Sequence, residues 1–332
     1  MNYLNHFLNN RLKIKKESKY SLIIGETPSK GARSPKLWNR VYKAQKSSIR
    51  MYPADVSKNN INNLLRFLKN EKNYLGGSVT TPYKVLIMKY LDNIDKNSKK
   101  IGSVNTIVKN GNKLSGFNTD FFGSLELIKK IKKQKKILVL GAGGAARPVI
   151  LSLTKKFKNS EFIFYNRNSN KIKKLAKELE IKNNFKIIQN LKHILNIKDF
   201  SLVVNATSIG FDSWVKKDKE LFNLKFFTPF SNLIKIKKIK SKNQSKFINK
   251  NKELLMTDRM NIKKFFLNRP NIEFFDIIYN PKKTKLLKIA EFYGNKIYNG
   301  LEMNLTQAVK GFMIVNKSNS YDFIKKKMIN NG

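Results

Sequence analysis

Few residues in this chain can carry proton chemistry. Cysteine is absent, and the two histidines are His6, in a polar leader, and His193, in a Lys/Ile-rich stretch. Disulfides, thiolate metal sites and cysteine nucleophiles are removed together. A reaction that moves a proton would then fall to lysine, a carboxylate or tyrosine. Lysine is the least informative of these, because Lys and Arg together number 68. One lysine is set apart by its context. Lys84 ends the run Gly76-Gly77-Ser78-Val79-Thr80-Thr81-Pro82-Tyr83-Lys84. That run has a glycine pair, a strand-like segment and a proline, which restricts the residue before it.

A second group points to a nucleotide. Gly141-Ala142-Gly143-Gly144-Ala145-Ala146 follows the apolar run Ile137–Leu140 and precedes a helical pattern. It satisfies G-x-G-x-x-A, in which glycines let backbone N–H groups approach a pyrophosphate at the positive end of a helix. An ordinary tight turn between strand and helix has the same look. At the end of the next apolar run an acidic residue would hold the ribose hydroxyls of NAD. The chain has Tyr165-Asn166-Arg167 there, with Lys171 nearby. Arginine suits a 2′-phosphate, which favours NADP; the other reading of Arg167 is one more surface cation.

The net charge is +46. A basic surface is the footprint of nucleic-acid binding. Here only nine of the basic residues are arginine, the residue suited to bidentate phosphate and base contacts, and the lysines are spread along the chain. Compositional drift toward Lys, Ile and Asn explains the charge, and no specific nucleic-acid partner is expected. No run of about 18 apolar residues is present, so no membrane span is expected.

These residues need a framework, and the sequence supplies two alternating α/β segments. Strands are expected at YSLIIGE, SIRMYPADV and YLGGSVTTP, and helices from Pro35 to about Ser47, in NNINNLLRFLKNE and in VLIMKYLDNI. VNTIVKNGNKLSGFNTD reads as a hairpin about Asn110-Gly111. KKILVLGAGGAARPVILSL, EFIFYNRNSNKIKKLAKEL and DFSLVVNATSIG then read as strand–turn–helix, strand–helix and strand, a second unit with a parallel sheet. The expected division is a basic extension at 1–19, an α/β domain at 20–120 and a nucleotide domain at 121–302. Residues 212–270 of the latter read as a solvated basic insertion.

From Tyr20 onward the chain resembles the shikimate dehydrogenase family. The resemblance is carried, in order, by Ser34-Pro35, VTxPxK at 79–84, GSVNT at 102–106, GFNTD at 116–120 and GAGGAA at 141–146. It continues with Asn166-Arg167, NATSIG at 205–210, YNPxxT at 279–284 and GLEMxxxQA at 300–308. The resemblance implies two α/β domains, one binding substrate and completed by a C-terminal helix at 303–330, the other Rossmann-like and binding NADP, with a cleft between them. It implies reversible, metal-free hydride transfer between NADPH and the ring ketone of 3-dehydroshikimate, giving shikimate. Lys84 matches the family's catalytic lysine and Asp120 its carboxylate partner. Ser34, Thr80, Asn105, Asp120, Tyr279 and Gln307 match substrate contacts. Gly141, Ala142, Gly143, Gly144, Ala145, Asn166, Arg167 and Lys171 match the cofactor side, with Thr207, Ile277 and Gly300 beside the nicotinamide. Three of these have plain alternatives: Asn105 as a turn residue, Tyr279 as core, Gln307 as a solvated helix position. A cytoplasmic location is expected, with the basic residues 1–18 leaving organellar targeting open. A monomer or homodimer is expected.

Three departures bear on substrate. The family's Ser-x-Ser-Pro reads Ala32-Arg33-Ser34-Pro35, Ser78 stands where many members have Asn, and the segment between Phe211 and Asp276 is longer than usual. A hydrogen bond to a charged group is worth about 1.5–3 kcal/mol, so the missing first serine weakens the grip on a substrate carboxylate unless compensated. A relative acting on quinate or aminoshikimate, and a non-catalytic sensor, are the competing readings.

Overall fold

The structure, a computed structural model, describes residues 2–15, 17–132, 134–166, 168–217, 219–267, 269 and 271–330. In chain order the elements are α1 (Asn2–His6), β1 (Tyr20–Gly25), α2 (Ser34–Ala44), β2 (Arg50–Asp55), α3 (Ile61–Asn70), β3 (Tyr74–Val79), β4 (Asn93–Ile94), α4 (Lys96–Ile101), β5 (Thr106–Asn110), β6 (Lys113–Phe117) and α5 (Asp120–Lys129). They continue with β7 (Lys136–Leu140), α6 (Ala146–Lys156), β8 (Glu161–Tyr165), α7 (Ser169–Glu178), β9 (Phe185–Ile188), α8 (Leu191–Asn196) and β10 (Leu202–Asn205). The rest are β11 (Trp214–Lys217), β12 (Glu220–Asn223), α9 (Gln244–Lys250), α10 (Lys252–Phe266), β13 (Glu273–Asp276), α11 (Lys285–Phe292), β14 (Lys296–Tyr298), α12 (Leu301–Asn316) and α13 (Tyr321–Ile329). The chain divides into two compact units. One is Met1–Leu127 with Arg147–Val149 and Met303–Gly332; the other is Ile128–Ala146 with Ile150–Glu302.

The first unit is built on a six-stranded sheet of order β2-β1-β3-β5-β6-β4, in which β2, β1 and β3 are parallel and β3, β5 and β6 antiparallel. Successive side chains of a strand point to opposite faces, and β1 shows it: Leu22 and Ile24 enter one apolar cluster with α3, while Ile23 enters another with α2, α12 and α13. Covered on both faces, β1 is buried throughout and reads as a continuous apolar run. The glycine pair has a steric cause. Gly76 (φ +128°) and Gly77 (φ +154°) lie in the strand between β1 and β5, and a Cβ on either would collide with the carbonyl oxygen of Ile107 or of Leu22.

The leader belongs to this unit. Leu4 is buried in the α3-side cluster, with Phe7, Leu8, Leu12 and Ile14 packed against it. Asn10 donates to Pro53 O (2.9 Å) and accepts from Asp55 N (2.8 Å), and Asn9 N donates to Asp55 O (2.7 Å). These bonds occupy the free edge of β2, which otherwise would present unpaired backbone groups. VLIMKYLDNI, expected as a helix, is instead a short 3₁₀ turn at Leu86–Tyr90 followed by β4. Tertiary pairing overrides helix propensity there: Asp92 N donates to Leu114 O (3.0 Å), and the Asp92 carboxylate accepts from Leu114 N (2.7 Å).

The second unit has an all-parallel six-stranded sheet of order β14-β13-β10-β7-β8-β9. Numbered within the unit this is 3-2-1-4-5-6, the doubly wound order whose direction reverses between β7 and β10. The lysine-rich insertion is not merely solvated surface. Phe227, Ile239, Phe247 and Leu254 form a buried cluster of their own, flanked by Trp214, Phe222 and Phe226. Large apolar side chains scattered among lysines carry this segment, since their burial outweighs the local charge. Asp258 of α10 is fully buried beneath it, bonded by Thr228 Oγ1 (2.5 Å), Ser231 Oγ (2.5 Å) and Lys285 Nζ (2.7 Å).

The packing of the leader predicts that Leu4→Ala lowers the stability of the first unit by about 2 kcal/mol. Asn10→Ala lowers it by about 1 kcal/mol. Urea unfolding followed by the fluorescence of Trp38, buried in this unit, measures both. Unchanged midpoints would show that the leader does not pack there in solution.

Candidate active site

Lys84 is held by its neighbours on the turn that follows β3. Val79 N donates to Asn105 O (2.7 Å), Thr80 N to Ile24 O (2.8 Å) and Tyr83 N to Thr80 O (3.0 Å). The Thr81–Pro82 peptide is cis. Tyr83, itself buried, donates its hydroxyl to Val56 O (2.7 Å), and Lys84 O accepts from Val104 N (2.7 Å). The turn is thus tied to three separate segments, at Ile24, at Val56 and at Val104-Asn105, and only the side chain of Lys84 is left to reach. It reaches Asp120: Nζ lies 2.5 Å from Oδ2, with the side chains 16% and 9% exposed. Asp120 occupies the first turn of α5, where the aligned peptide dipoles favour a carboxylate. An ion pair so little exposed is screened weakly, and removing either member leaves the other charge poorly solvated.

Asn105 links the two halves of this pair. Its Oδ1 accepts from Thr119 N (2.7 Å), Thr119 Oγ1 (3.1 Å) and Thr106 Oγ1 (3.1 Å), and its Nδ2 donates to Gln307 Oε1 (3.3 Å). With its backbone oxygen on Val79, this buried residue spans the Lys84 turn, the residue before Asp120, and α12. The turn-residue alternative therefore does not describe it. Gln307 is buried as well and donates to Asn304 O (2.9 Å), so it is no solvated helix position. Ser34 is buried at the start of α2 and Thr80 half-buried beside β3. Their hydroxyls make no hydrogen bond among the described residues, and none joins them to Lys84 or Asp120. Ala32 packs against the α2–α12 apolar cluster, and Arg33 Nη1 donates to Asn304 Oδ1 (3.0 Å).

In the second unit, the glycine turn leaves β7 at the point where the strand order reverses. Gly141 has φ +104°, and a Cβ there would stand 2.7 Å from Thr207 Cγ2 and 3.1 Å from Ala206 O, on the segment leaving β10. A Cβ on exposed Gly143 would meet nothing within 4 Å. Ala145 precedes α6 with no side-chain cap, so the amides of the first turn are not satisfied by a side chain. A backbone cradle, open on one side and uncapped at a helix N-terminus, fits a pyrophosphate. After β8, Asn166 Nδ2 donates to Asn168 O (2.7 Å), and Asn168 caps α7 by accepting from Lys171 N (3.3 Å); the Lys171 side chain is exposed. Arg167 lies outside the described residues. Gly300 N donates to Ile278 O (3.0 Å), which sets Gly300 beside the Ile277 segment, and half-buried Tyr279 meets Phe211 edge-on at 5.7 Å.

A buried polar network holds these segments, and it escaped the sequence reading. Asn205 uses both ends of its amide: Oδ1 accepts from Thr207 N (3.1 Å) and Thr207 Oγ1 (2.7 Å), while Nδ2 donates to Ile209 O (3.1 Å) and Asp276 Oδ2 (3.1 Å). Asp276, fully buried, also accepts from Thr284 Oγ1 (2.8 Å) and Ile278 N (2.9 Å). The signals were a polar residue ending each of two apolar strands and the motifs NATSIG and YNPxxT, which hold Asn205, Thr207 and Thr284. Burial pushes the Asp276 carboxyl up to about 7, against three hydrogen-bond donors that pull it down. The folded protein therefore favours the neutral acid. That contribution is complete below the ordinary carboxylate value and is lost as pH rises through about 7. We expect thermal stability to fall more between about pH 5 and about pH 8 in the wild type than in Asp276→Asn. Parallel melting-temperature profiles would show that Asp276 does not titrate in that window.

Both units have known relatives. A family described as "Shikimate dehydrogenase substrate binding domain" matches residues 23–107, and one described as "Shikimate / quinate 5-dehydrogenase" matches residues 126–212. The chain is 32% identical over 299 residues to the shikimate dehydrogenase (NADP(+)) of Pelagibacter ubique, covering 89% of this chain and 92% of that one. It is 31% identical over 313 residues to the enzyme of the same name from Methanosphaera stadtmanae, covering 92% and 95%. A crystal structure of a shikimate dehydrogenase in complex with NADP+ superposes with a TM-score of 0.67 at 28% identity, over 96% of each chain. With likeness of this extent running through substrate-binding and Rossmann-like units alike, the chain belongs to the shikimate dehydrogenase family.

Proposed function

We propose that the protein interconverts 3-dehydroshikimate and shikimate with NADP, using Lys84 as proton donor and acceptor and Asp120 as the carboxylate that orients it. The observation that carries this is the close Lys84–Asp120 pair, 2.5 Å apart and largely shielded, in a chain with 59 lysines. A surface lysine has no need of such a partner, and neither does a protein that only binds a ligand. Relatives named as NADP-dependent shikimate dehydrogenases support the substrate and the cofactor.

NADPH, bound at the Gly141–Ala145 turn, supplies the hydride. Reduction of a ketone builds negative charge on its oxygen, and Lys84 gives that oxygen a proton as the charge develops. In the reverse direction Lys84 takes the hydroxyl proton back. Asp120 keeps the ammonium aimed and balances its charge between turnovers. The free hydroxyls of Ser34 and Thr80 serve the substrate carboxylate and ring hydroxyls. So does the second N–H of the Asn105 amide, which has no partner among the described residues. Gln307, bonded to Asn105, holds that amide in register. Asn166, Lys171 and Arg167 are assigned to the adenosine 2′-phosphate, and Thr207, Ile277 and Gly300 to the nicotinamide side. Tyr279 is assigned to substrate.

A quinate or aminoshikimate preference is the second reading, favoured by one observation. Ala32 places a methyl group in an apolar cluster where the family has a carboxylate-binding hydroxyl, and Arg33 is engaged with Asn304.

The test is NADPH formation by absorbance with shikimate and NADP, beside quinate and NAD. We expect Lys84→Ala to lower kcat by about 10²–10⁴-fold with little change in shikimate KM. Asp120→Asn should lower kcat less and raise KM. Turnover on quinate alone would move the function to the second reading. Full activity in Lys84→Ala would remove the catalytic assignment.

A further inference from the structure

A groove of about 660 Å³ lies in the second unit between α10, α11 and the segment at Lys225-Phe226. Its size is that of a pocket for one small molecule. We propose that it binds a small amphipathic anion: a carboxylate, sulfonate or phosphate on an apolar body. This goes beyond the catalytic reading and does not depend on it, because the glycine turn, Lys84 and Asp120 take no part in the groove.

Its two walls are helix faces of defined spacing. Lys252, Leu255, Met256 and Arg259 stand at i, i+3, i+4 and i+7 on α10, one face of a helix. Lys285 and Lys288 stand at i and i+3 on α11. The apolar lining is Phe226, Ile248, Leu255, Met256 and Pro281, with Met256 57% exposed. An exposed methionine beside an aromatic ring offers a flexible, polarizable surface that adapts to varied apolar groups.

The charge around this lining is one-sided. Six of the 12 lining residues are cationic, against 68 of 332 in the whole chain, and the only lining carboxylate is Asp212. Three of the cations already have partners: Lys225 with Asp212 (3.2 Å), Lys283 with Glu291 (2.7 Å) and Lys285 with Asp258 (2.7 Å). Lys252, Arg259 and Lys288 have no acidic partner among the described residues. A surplus of three positive charges thus surrounds an apolar lining, where a lone apolar ligand would gain nothing from the rim and a bare anion nothing from the lining. The frame is fixed. Asp258, fully buried on α10, binds Lys285 of α11 together with Thr228 and Ser231, so the facing helices are held by one carboxylate.

The probe is 1-anilinonaphthalene-8-sulfonate, titrated by fluorescence into the intact protein at about 150 mM salt, where long-range attraction is screened. Its uncharged counterpart N-phenyl-1-naphthylamine and inorganic phosphate are run in parallel. We expect the sulfonate to bind at one site at least tenfold more tightly than either control. Arg259→Glu with Lys288→Glu should weaken it at least tenfold while leaving shikimate turnover unchanged. Both positions are exposed, so folding is not at stake. Met256→Glu, which removes the apolar lining instead, should weaken it similarly. Equal affinity for the neutral probe, indifference to the variants, or displacement by saturating NADP would each overturn the proposal. Displacement by duplex DNA at equivalent charge would also overturn it, showing a general polyanion surface rather than a small-molecule site.

Discussion

The first unit turns on the amide of Asn105. One buried side chain fixes Thr119, and therefore the start of α5 and Asp120, while its own backbone oxygen fixes Val79 at the head of the Lys84 turn. The ion pair is thus the meeting of two segments separated by 36 residues and aligned by a single intermediary. A buried amide is strongly directional, since its oxygen only accepts and its nitrogen only donates. Loss of that residue would remove more than one hydrogen-bonding side chain. It would release the geometry on which the lysine and the aspartate depend.

The second unit solves a similar problem with a different group. Its strand order creates the crevice at β7 and β10, but strand order does not shape the loops that leave the strands. Asn205 and Asp276 do that, by closing hydrogen bonds across the ends of β10 and β13 and onto the start of α11. A half-satisfied polar network in a dry interior costs more than an apolar one. Here both ends of the Asn205 amide and both oxygens of Asp276 are engaged, which is why such polar groups can sit at full burial.

Much of this was legible in the residues. Gly141 to Ala146 announced the nucleotide turn because its spacing is dictated by backbone approach, and backbone rules are local. Lys84 and Asp120 could be named only through an ordered set of motifs, because nothing in Lys84 itself tells it from the other 58 lysines. The link between Asn205 and Asp276 was passed over for a related reason: the two are 71 residues apart, and each alone looks like a polar residue at a strand end. The segment Leu86–Ile94 misled because its apolar spacing suits a helix, whereas its partner, β6, lies some twenty residues on. Lysine counts hid the insertion's core, since five aromatic rings dispersed among cations leave no periodic signal.

The division of the chain has a bearing on how it is made. Apart from three residues, the second unit is one continuous stretch, Ile128–Glu302, whereas the first is assembled from segments that precede and follow it. Trp38, on α2, donates to Ala308 O of α12, and Arg40 donates to Met328 O at the end of α13. During synthesis, domains fold as units as they emerge. The Rossmann-like unit can close while the ribosome is still adding residues. The substrate-binding sheet must wait, with one face of β1 uncovered, until α12 and α13 leave the exit tunnel. The half that carries Lys84 and Asp120 is thus completed after the half that carries the glycine turn.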